Sequence, residues 1–377
     1  MASGYYTDYT RPEEPVRRSL AGRLFDSCMS LLTFVVGTAM LLTLAVPYVQ
    51  PARIFFFPLL GLAAPVLYVA TVLLTLYWII RWRWIRACLL LGLLLLGSFN
   101  VPLFYRMELR RDYGETDYGR GTFRVVTYNV RAFYDDHGQN SADRVSELLT
   151  ELDPDIICLQ EYHPMLARRS GAFTQLLSRY AAASENGRSD AGEMVILSKF
   201  PIVQCDTVVS GSTSIWADVK IGEDTVRIFS NHLQTTQIKS HDEDYLTQRL
   251  FLSDSTRWDR MRSIVHRHRK NSELRAAQVD RIAPVIAATQ GRYLVCGDFN
   301  DTPVSYVYRT MARGSKDAFS ECGKGYSHTY RGFFGALRID YVLRSEGLEA
   351  LSYEVPPTDC SDHLPVVVRL QKTDLNP

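Results

Sequence analysis

The stretch YLVCGDFND, Tyr293–Asp301, is an apolar run that ends in two carboxylates, Asp298 and Asp301, with an amide, Asn300, between them. The apolar residues are typical of a buried strand. Strands commonly end at Gly, Asn or Asp because the chain turns there, so a plain loop explains this stretch equally well. It indicates a functional site only if other strands of the chain end in similar groups.

Two earlier strands also end in polar side chains. FRVVTYNV reaches Asn129 near its end, and DIICLQE ends at Glu161. Between them, SADRVSELLTELDPD has the apolar stripe of a helix, with Ser141 as the predicted N-cap residue and an end before Pro154. A β-α-β unit of this kind delivers Asn129 and Glu161 to the same edge of a sheet.

The later strands add further polar groups. SIWADVKIGEDTVRIFSNHL alternates, turns at Gly222 and returns to His232, which is the pattern of an antiparallel hairpin. RIDYVLR contains Asp340, and SDHLPVVVRL places Asp362 and His363 just before the last strand. Together the strand ends supply carboxylates, amides and imidazoles but no cysteine. Oxygen-rich sets of this kind suit hard cations such as Mg²⁺, Mn²⁺ or Ca²⁺ better than a structural zinc ion.

The ordered motifs VVTYNV, ICLQE, SNHL, GDFND, RIDYVL and SDHLPV resemble the endonuclease/exonuclease/phosphatase superfamily of DNase I-like phosphoesterases. Any one of them is weak, but six in the family's order across residues 122–370, each at a strand end, are specific. The resemblance implies an α+β fold, a four-layer α/β/β/α sandwich in which two mainly antiparallel sheets pack face to face. It also implies an active site at one edge of the sheets and a phosphate-ester substrate.

The resemblance implies a metal-binding role for three of the residues. Glu161 is expected to be the principal ligand, with Asn129 beside it and Asp362 completing the metal or water network. The ionised carboxylate of Glu161 also follows a buried apolar run, where it needs a partner that offsets its desolvation. The expected cofactor is Mg²⁺, with Mn²⁺ and Ca²⁺ as alternatives.

The resemblance assigns catalytic roles to the other five. Asp298 is expected to activate or orient the attacking water, and Asn300 to position a phosphate oxygen. Asp340 is expected to orient His363, while His363 and His232 bind the scissile phosphate. Such a set makes chemical sense because phosphoryl transfer depends mainly on positioning and on positive charge near the developing negative oxygens.

The first 106 residues have a different composition. Three long stretches contain no Asp, Glu, Lys or Arg, namely Ser27–Ala52, Ile54–Ile80 and Ala87–Tyr105. They predict three transmembrane helices at about 27–48, 55–80 and 87–105. A buried helical hairpin is the alternative, whereas a signal peptide would be shorter. The predicted domains are a membrane region at 1–106, a linker at 107–121 and a catalytic domain at 122–371.

The arginine distribution predicts the orientation of these helices. Arginines cluster before the first helix and between the second and third, whereas the loop after the first helix carries only Arg53. Because short Arg-rich segments stay in the cytoplasm, the catalytic domain is expected on the extracytoplasmic side of an inner or plasma membrane. Arg106, Arg110 and Arg111 oppose this orientation. The seven cysteines show no disulfide or zinc spacing, and the net charge of +1 indicates no particular partner.

The substrate is less defined. Val130-Arg131-Ala132 after Asn129, and His232 in SNHL, are unlike the DNA-repair branch, so an abasic-site endonuclease is disfavoured. The leading prediction is a membrane-anchored phosphodiesterase or nuclease that acts on nucleic acid or a small phosphodiester. The alternatives are a lipid-directed, sphingomyelinase-like phosphodiesterase or an inositol-phosphate phosphatase acting on phospholipid or its headgroup, and, with less support, a non-catalytic tethered binding protein.

Two segments bear on the substrate. RWDRMRSIVHRHRKN predicts a helix with His268 on its apolar face and basic residues around the remainder. We expect it either to approach the active-site edge and attract an anionic substrate or lipid, or to be an ordinary packed helix with a solvated basic face. SHTYRG, Ser327–Gly332, resembles a substrate-facing segment of the family, although an ordinary loop explains it equally well.

Overall fold

The computed structural model describes residues 20–107, 121–190, 192–209, 213–236 and 257–374. The helices of these residues are α1 Leu20–Thr43, α2 Phe57–Ile80, α3 Trp84–Gly97, α4 Ala142–Leu152, α5 Pro164–Arg169, α6 Gly171–Leu177, α7 Arg257–Ala287, α8 Tyr306–Met311, α9 Ala318–Cys322 and α10 Gly332–Gly335. The strands are β1 Tyr105–Arg106, β2 Thr122–Asn129, β3 Ile156–Gln160, β4 Ala181–Ser184, β5 Val195–Ser198, β6 Ile202–Thr207, β7 Ser214–Ile221, β8 Asp224–His232, β9 Arg292–Asp298, β10 Lys316–Asp317, β11 Gly325–Tyr326, β12 Asp340–Arg344, β13 Leu348–Glu354 and β14 Val366–Lys372.

Two six-stranded sheets form the centre of the catalytic region. Their strand orders are β13-β14-β2-β3-β5-β4 and β10-β12-β9-β8-β7-β6. Each sheet contains one parallel pair, β2–β3 in the first and β8–β9 in the second, and its remaining pairs are antiparallel. The sheets are therefore mainly antiparallel, as predicted.

The apolar core lies between the two sheets. Alternate side chains of facing strands, such as Val125, Ile228 and Val368, are fully buried there. A second cluster packs α4 and α6 on the outer face of the first sheet, and a third packs α7 and α8 on the outer face of the second. The predicted α+β four-layer sandwich is confirmed.

The predicted membrane region contains α1, α2 and α3, which pack against one another. With the short 3₁₀ segments that follow α1 and α3, these helices are long and apolar enough to cross a membrane. Helix α1 begins at Leu20, earlier than residue 27, because Asp26 is paired with Arg81 at 2.6 Å and is accommodated inside the helix. The predicted linker lies largely outside the described residues, since residues 108–120 are not among them.

Other predicted elements differ in detail. The basic segment and the helix predicted from Arg275 form a single helix, α7, of 31 residues. Ser141 precedes α4 as expected, but its side chain makes no capping hydrogen bond. The hairpin β7–β8 turns at Gly222, where φ is 64° and favours glycine.

Candidate active site

Asp298 lies at the centre of a polar cluster because of the register of the second sheet. His232 is paired with Asp298 across the parallel β8–β9 ladder, and Asp340 is paired with Asp298 across the antiparallel β9–β12 ladder. Gly297 precedes it with a φ of 126°, and a Cβ atom there would lie 2.0 Å from the Asn231 carbonyl oxygen. The close approach of β8 and β9 at this point therefore requires glycine.

The first sheet contributes Asn129 and Glu161 from the parallel strands β2 and β3. The Asn129 amide nitrogen donates to Glu161 Oε1 and to Asp298 Oδ2, each at 3.1 Å. Its amide oxygen accepts from the Arg131 backbone N–H at 3.0 Å, which fixes the orientation of the amide. Asn129 thus joins the carboxylates of the two sheets.

Glu161 is held in an unusual backbone conformation. Its φ is 50°, and its carbonyl accepts from the Ala132 N–H at 2.8 Å in a loop where residues 131–133 also have positive φ. Non-glycine residues in this left-handed region carry conformational strain, which clusters at functional sites. The Glu161 side chain contacts Asn129 and His232 in the cluster, where it is 37% exposed while Asp298 is 1% exposed.

The two imidazoles lie on either side of Asp298. His363 Nε2 is 3.7 Å from Asp298 Oδ2, and His363 Nδ1 lies 3.0 Å from Asp340 Oδ2 and 3.2 Å from Asp340 Oδ1. His232 Nε2 is 3.4 Å from Glu161 Oε1 and 4.0 Å from Asp298 Oδ2. The contact with Asp340 is made by Nδ1 of the His363 ring, and Nε2 is directed toward Asp298.

These contacts shift the pKa values of the cluster. Burial alone would lower the pKa of His363, but Asp340 and Asp298 outweigh it and raise the pKa to about 10. Burial also opposes the charged form of His232, yet Glu161 and Asp298 raise its pKa. Burial would raise the pKa of Glu161, but the hydrogen bond and charge of His232 lower it to about 2. Burial raises the pKa of Asp298 to about 6, although His363 opposes the shift.

Asn300 and Asp362 lie at the edge of the same cavity, and each contacts another protein side chain there. The Asn300 side-chain nitrogen donates to Asp298 Oδ2 at 2.9 Å and to the Leu233 carbonyl at 3.1 Å, so in this arrangement the amide supports Asp298. The Asp362 carboxylate lies 3.5 Å from Arg131 Nε. Both still line the cavity with Glu161, Asp298 and His363.

The donor chemistry of the cluster fits a divalent cation. Asp298, Asp340 and His363 each place a ligand atom within 4.8 Å of the other two, but a protonated His363 donates from both ring nitrogens. The oxygens of Glu161, Asp298 and Asp362, which line the cavity, are therefore the ligands available to a cation. His232 Nε2 lies 3.4 Å from Glu161 Oε1, so the imidazole contacts the accessible carboxylate of the cluster. The carboxylate and amide oxygens match the preference of hard cations.

The cavity is also lined by residues that were not identified as site residues from the sequence. Its volume is about 140 Å³, and these residues include Leu62 of α2 and His268 of α7. Leu62 and His268 lie on helices α2 and α7, and the packing of these helices against the edge of the sheets depends on tertiary structure rather than on local sequence. Tyr330 of SHTYRG also lines the cavity, and its ring centroid lies 5.1 Å from that of His363.

Comparison with known proteins agrees with this geometry. Residues 126–363 match a family model described as "Endonuclease/Exonuclease/phosphatase family", and residues 26–104 match a domain of unknown function. No curated protein matches the chain.

Several solved structures are similar in fold. An endonuclease/exonuclease/phosphatase family protein from Bacteroides thetaiotaomicron is 15% identical, with 67% of this chain and 95% of that chain covered and a TM-score of 0.47. A second such protein, from Bacteroides vulgatus, is 17% identical, with 67% and 100% covered and a TM-score of 0.46. The human Nocturnin catalytic domain is 18% identical, with 67% and 94% covered and a TM-score of 0.44.

The family model covers the strands that carry Asn129, Glu161, His232, Asp298 and Asp340, and it extends to His363. The chain belongs to the endonuclease/exonuclease/phosphatase family, whose members are metal-dependent hydrolases of phosphate esters.

Proposed function

We propose that the protein is a membrane-anchored phosphodiesterase that hydrolyses its substrate by attack of water on the phosphorus. The observation that carries this proposal is the position of Asp298, which has His232 and Asp340 as its register partners and His363 and Asn129 in contact range. A carboxylate surrounded by two imidazoles and an amide has the composition needed to move a proton beside a phosphate.

The proposed roles follow from the contacts. Asp298 accepts the proton of the attacking water, and its raised pKa of about 6 suits a base that works near neutral pH. His363, kept protonated by Asp340, and His232 stabilise negative charge on the phosphate oxygens. Asn129 and Asn300 hold the Asp298 carboxylate in place.

We assign the divalent cation, Mg²⁺ in this proposal, to Glu161, with Asn129 and Asp362 beside it. Glu161 is the accessible carboxylate of the cluster, and its low pKa keeps it ionised. When bound, the cation supplies positive charge that polarises the phosphate ester. Water attack on a diester gives a monoester and an alcohol, so the P–O bond to the leaving group breaks and the departing oxygen takes up a proton.

The contacts of the membrane region support an extracytoplasmic catalytic domain. The loop between α1 and α2 lies against the catalytic region, since Gln50 Nε2 donates to Asp280 Oδ2 at 2.7 Å and the Arg309 guanidinium lies 3.9 Å from the Tyr48 ring centroid. The turn at Arg81–Arg83 joins the end of α2 to the start of α3, and these two helix ends lie away from the loop that contacts the catalytic region. The arginine-rich end is therefore the one away from the catalytic region, and it is assigned to the cytoplasm.

Hydrolysis of bis-p-nitrophenyl phosphate by the purified full-length chain tests the proposed chemistry. We expect activity that requires Mg²⁺, and Asp298→Asn should lower kcat by about 10²–10⁴-fold because it removes the proton acceptor. Asp259→Asn, an exposed change in α7, is the matched control. Full activity of Asp298→Asn would contradict the assignment.

A further inference from the structure

Beyond the acid–imidazole cluster, the active-site cavity is lined by Asp301, Leu337 and Ile339 and by five uncharged residues that belong to α2, α7 and the segments after β8 and β9. The five residues are Leu62, Thr235, Thr236, His268 and Thr302. Leu62 belongs to the second turn of helix α2, and His268 belongs to α7. We call these five residues the neutral end of the cavity.

The contacts of α2 put the neutral end beside the first turns of this candidate transmembrane helix. Phe57, Pro58 and Gly61 at the start of α2 are buried, whereas Val66 and Val69 further along are 70% and 60% exposed. The Thr302 hydroxyl donates to the Gly61 carbonyl at 3.2 Å. The catalytic region is therefore seated on the first turns of α2, and the rest of the helix presents apolar side chains of the kind that face lipid.

His268 is a buried polar group that points into this end. It is 6% exposed, and the Pro58 backbone lies within reach of a weak hydrogen bond from one ring nitrogen. The other ring nitrogen has no hydrogen-bond partner among the described residues. Burial and the positive charge of Arg275 lower the pKa of His268 to about 4, so the ring is neutral. Buried polar groups without partners are costly, and a ligand that supplies a partner offsets that cost.

The charged groups near the neutral end compensate one another. Arg275 is fully buried, lies 3.4 Å from Asp301 and donates to the Gln234 carbonyl at 2.9 Å and the Thr236 hydroxyl at 3.1 Å. The neutral end therefore offers hydroxyl groups, an imidazole nitrogen and one apolar side chain. Such a lining suits an uncharged alcohol that carries hydrogen-bonding groups.

We propose that the neutral end binds the alcohol portion of the phosphate ester, and that the substrate is a phospholipid of the membrane in which the enzyme is anchored. The inference rests on the proposed phosphodiesterase function and names its substrate class. A cavity of about 140 Å³ is small beside the roughly 300–1,000 Å³ of pockets that enclose drug-sized ligands, so it takes the phosphate ester and the atoms next to it rather than a whole lipid. Only the ester region of a lipid enters, and Leu62 contacts the apolar part that continues into the bilayer.

The test uses the full-length enzyme in nanodiscs with Mg²⁺. The nanodiscs contain phosphatidylcholine with phosphatidylglycerol, phosphatidylinositol or sphingomyelin, and bis-p-nitrophenyl phosphate is the soluble comparison. We expect the wild type to hydrolyse at least one of these lipids. His268→Ala and Leu62→Ala should each lower kcat/KM for that lipid about tenfold, the value of one lost hydrogen bond or apolar contact.

Inorganic phosphate separates a specific role from a structural one. As a competitive inhibitor it probes the acid–imidazole cluster alone, so its inhibition constant should stay within about twofold of the wild-type value in both variants. His266→Ala, exposed on α7, and Val66→Ala, exposed on α2, are the controls and should leave lipid hydrolysis unchanged.

The outcomes are distinguishable. If the wild type hydrolyses bis-p-nitrophenyl phosphate but none of these lipids, or if the two variants match the controls, the inference is overturned while the proposed function stands. Equal loss of lipid hydrolysis and of phosphate inhibition shows a structural role and also overturns it. Absence of metal-dependent hydrolysis of any phosphate ester refutes the proposed function itself.

Discussion

The Asp340–His363 pair offers the most informative perturbation of the cluster. The two side chains are buried and in contact at 3.0 Å, and the pKa of His363 is raised to about 10 from its ordinary 6.5. A difference of this size corresponds to roughly 5 kcal/mol in favour of the imidazolium. Asp340 supplies the larger part of it, since it contributes both its charge and its hydrogen bond, and Asp298 supplies most of the remainder.

Asp340→Asn keeps the shape of the side chain and removes its charge. We expect the pKa of His363 to fall back toward its ordinary value, so that at pH 8 most of the imidazole is neutral. Loss of one charge that stabilises the phosphate oxygens should lower kcat about 10²–10³-fold at this pH. As pH falls to about 6, His363 becomes protonated again, and the deficit relative to wild type should shrink.

The assay is the ratio of variant to wild-type kcat with bis-p-nitrophenyl phosphate between pH 6 and pH 9, with saturating Mg²⁺. Taking the ratio removes the titration of groups whose pKa values are the same in the two proteins. Asp298 is the exception, because Asp340 raises its pKa and the charge of His363 lowers it. Asp259→Asn, which is exposed, is the control for a lost carboxylate. If kcat of Asp340→Asn is less than about threefold below that of the wild type at pH 8, or if the ratio does not change with pH, the proposed role of the His363 charge is wrong.

Further predictions concern other parts of the cluster. Asn300→Ala should lower kcat about tenfold with little change in KM, because the change removes a hydrogen bond that holds Asp298 but does not remove a direct contact with the substrate. A change in KM alone would contradict this positioning role. Gly297→Ala should lower the free energy of unfolding by more than about 2 kcal/mol in denaturant titrations, since the added Cβ would lie 2.0 Å from the Asn231 carbonyl oxygen. If the variant were as stable as the wild type, strands β8 and β9 would be shown to separate freely at this point. In EDTA, the stabilisation that protonated His363 gives the folded state should be fully present below pH 6.5 and should be lost as pH rises to about 10, because the pKa of His363 is raised in the folded state. The thermal unfolding temperatures of wild type and Asp340→Asn should therefore differ most at low pH. A difference that stays constant up to pH 10 would contradict the pKa shift.

Much of the fold could be predicted from the sequence because its signals are local. The alternation on either side of Gly222 specifies the hairpin, and the helical stripe between Asn129 and Glu161 specifies a parallel crossover. Strand ends in a parallel pair must lie at one edge, so the proximity of these two side chains follows from the chain order. The meeting of the two sheets, which brings Asn129 to Asp298, was available only through the family resemblance.

The remaining parts of the site depend on long-range packing. His268 belongs to a helical face that reads equally well as ordinary core, and only the docking of α7 beside the sheet edge places it in the cavity. Nothing in the apolar sequence of α2 distinguishes Leu62 from its neighbours as a residue that lines the cavity. The local partners of Asn300 were also hidden, since its amide could face the substrate or Asp298, and backbone geometry at φ 52° decides between them.

The central claim is that Glu161, Asp298 and His363 act on one phosphate beside one site for a divalent cation. The most direct measurement is Mn²⁺ binding to the full-length protein, followed by the loss of the free-ion EPR signal, in wild type, Glu161→Gln and the exposed control Glu147→Gln. We predict that Glu161→Gln weakens Mn²⁺ binding at least about tenfold and lowers phosphodiester hydrolysis in parallel, while Glu147→Gln changes neither. Equal Mn²⁺ binding by wild type and Glu161→Gln, or hydrolysis that persists in EDTA, would contradict it.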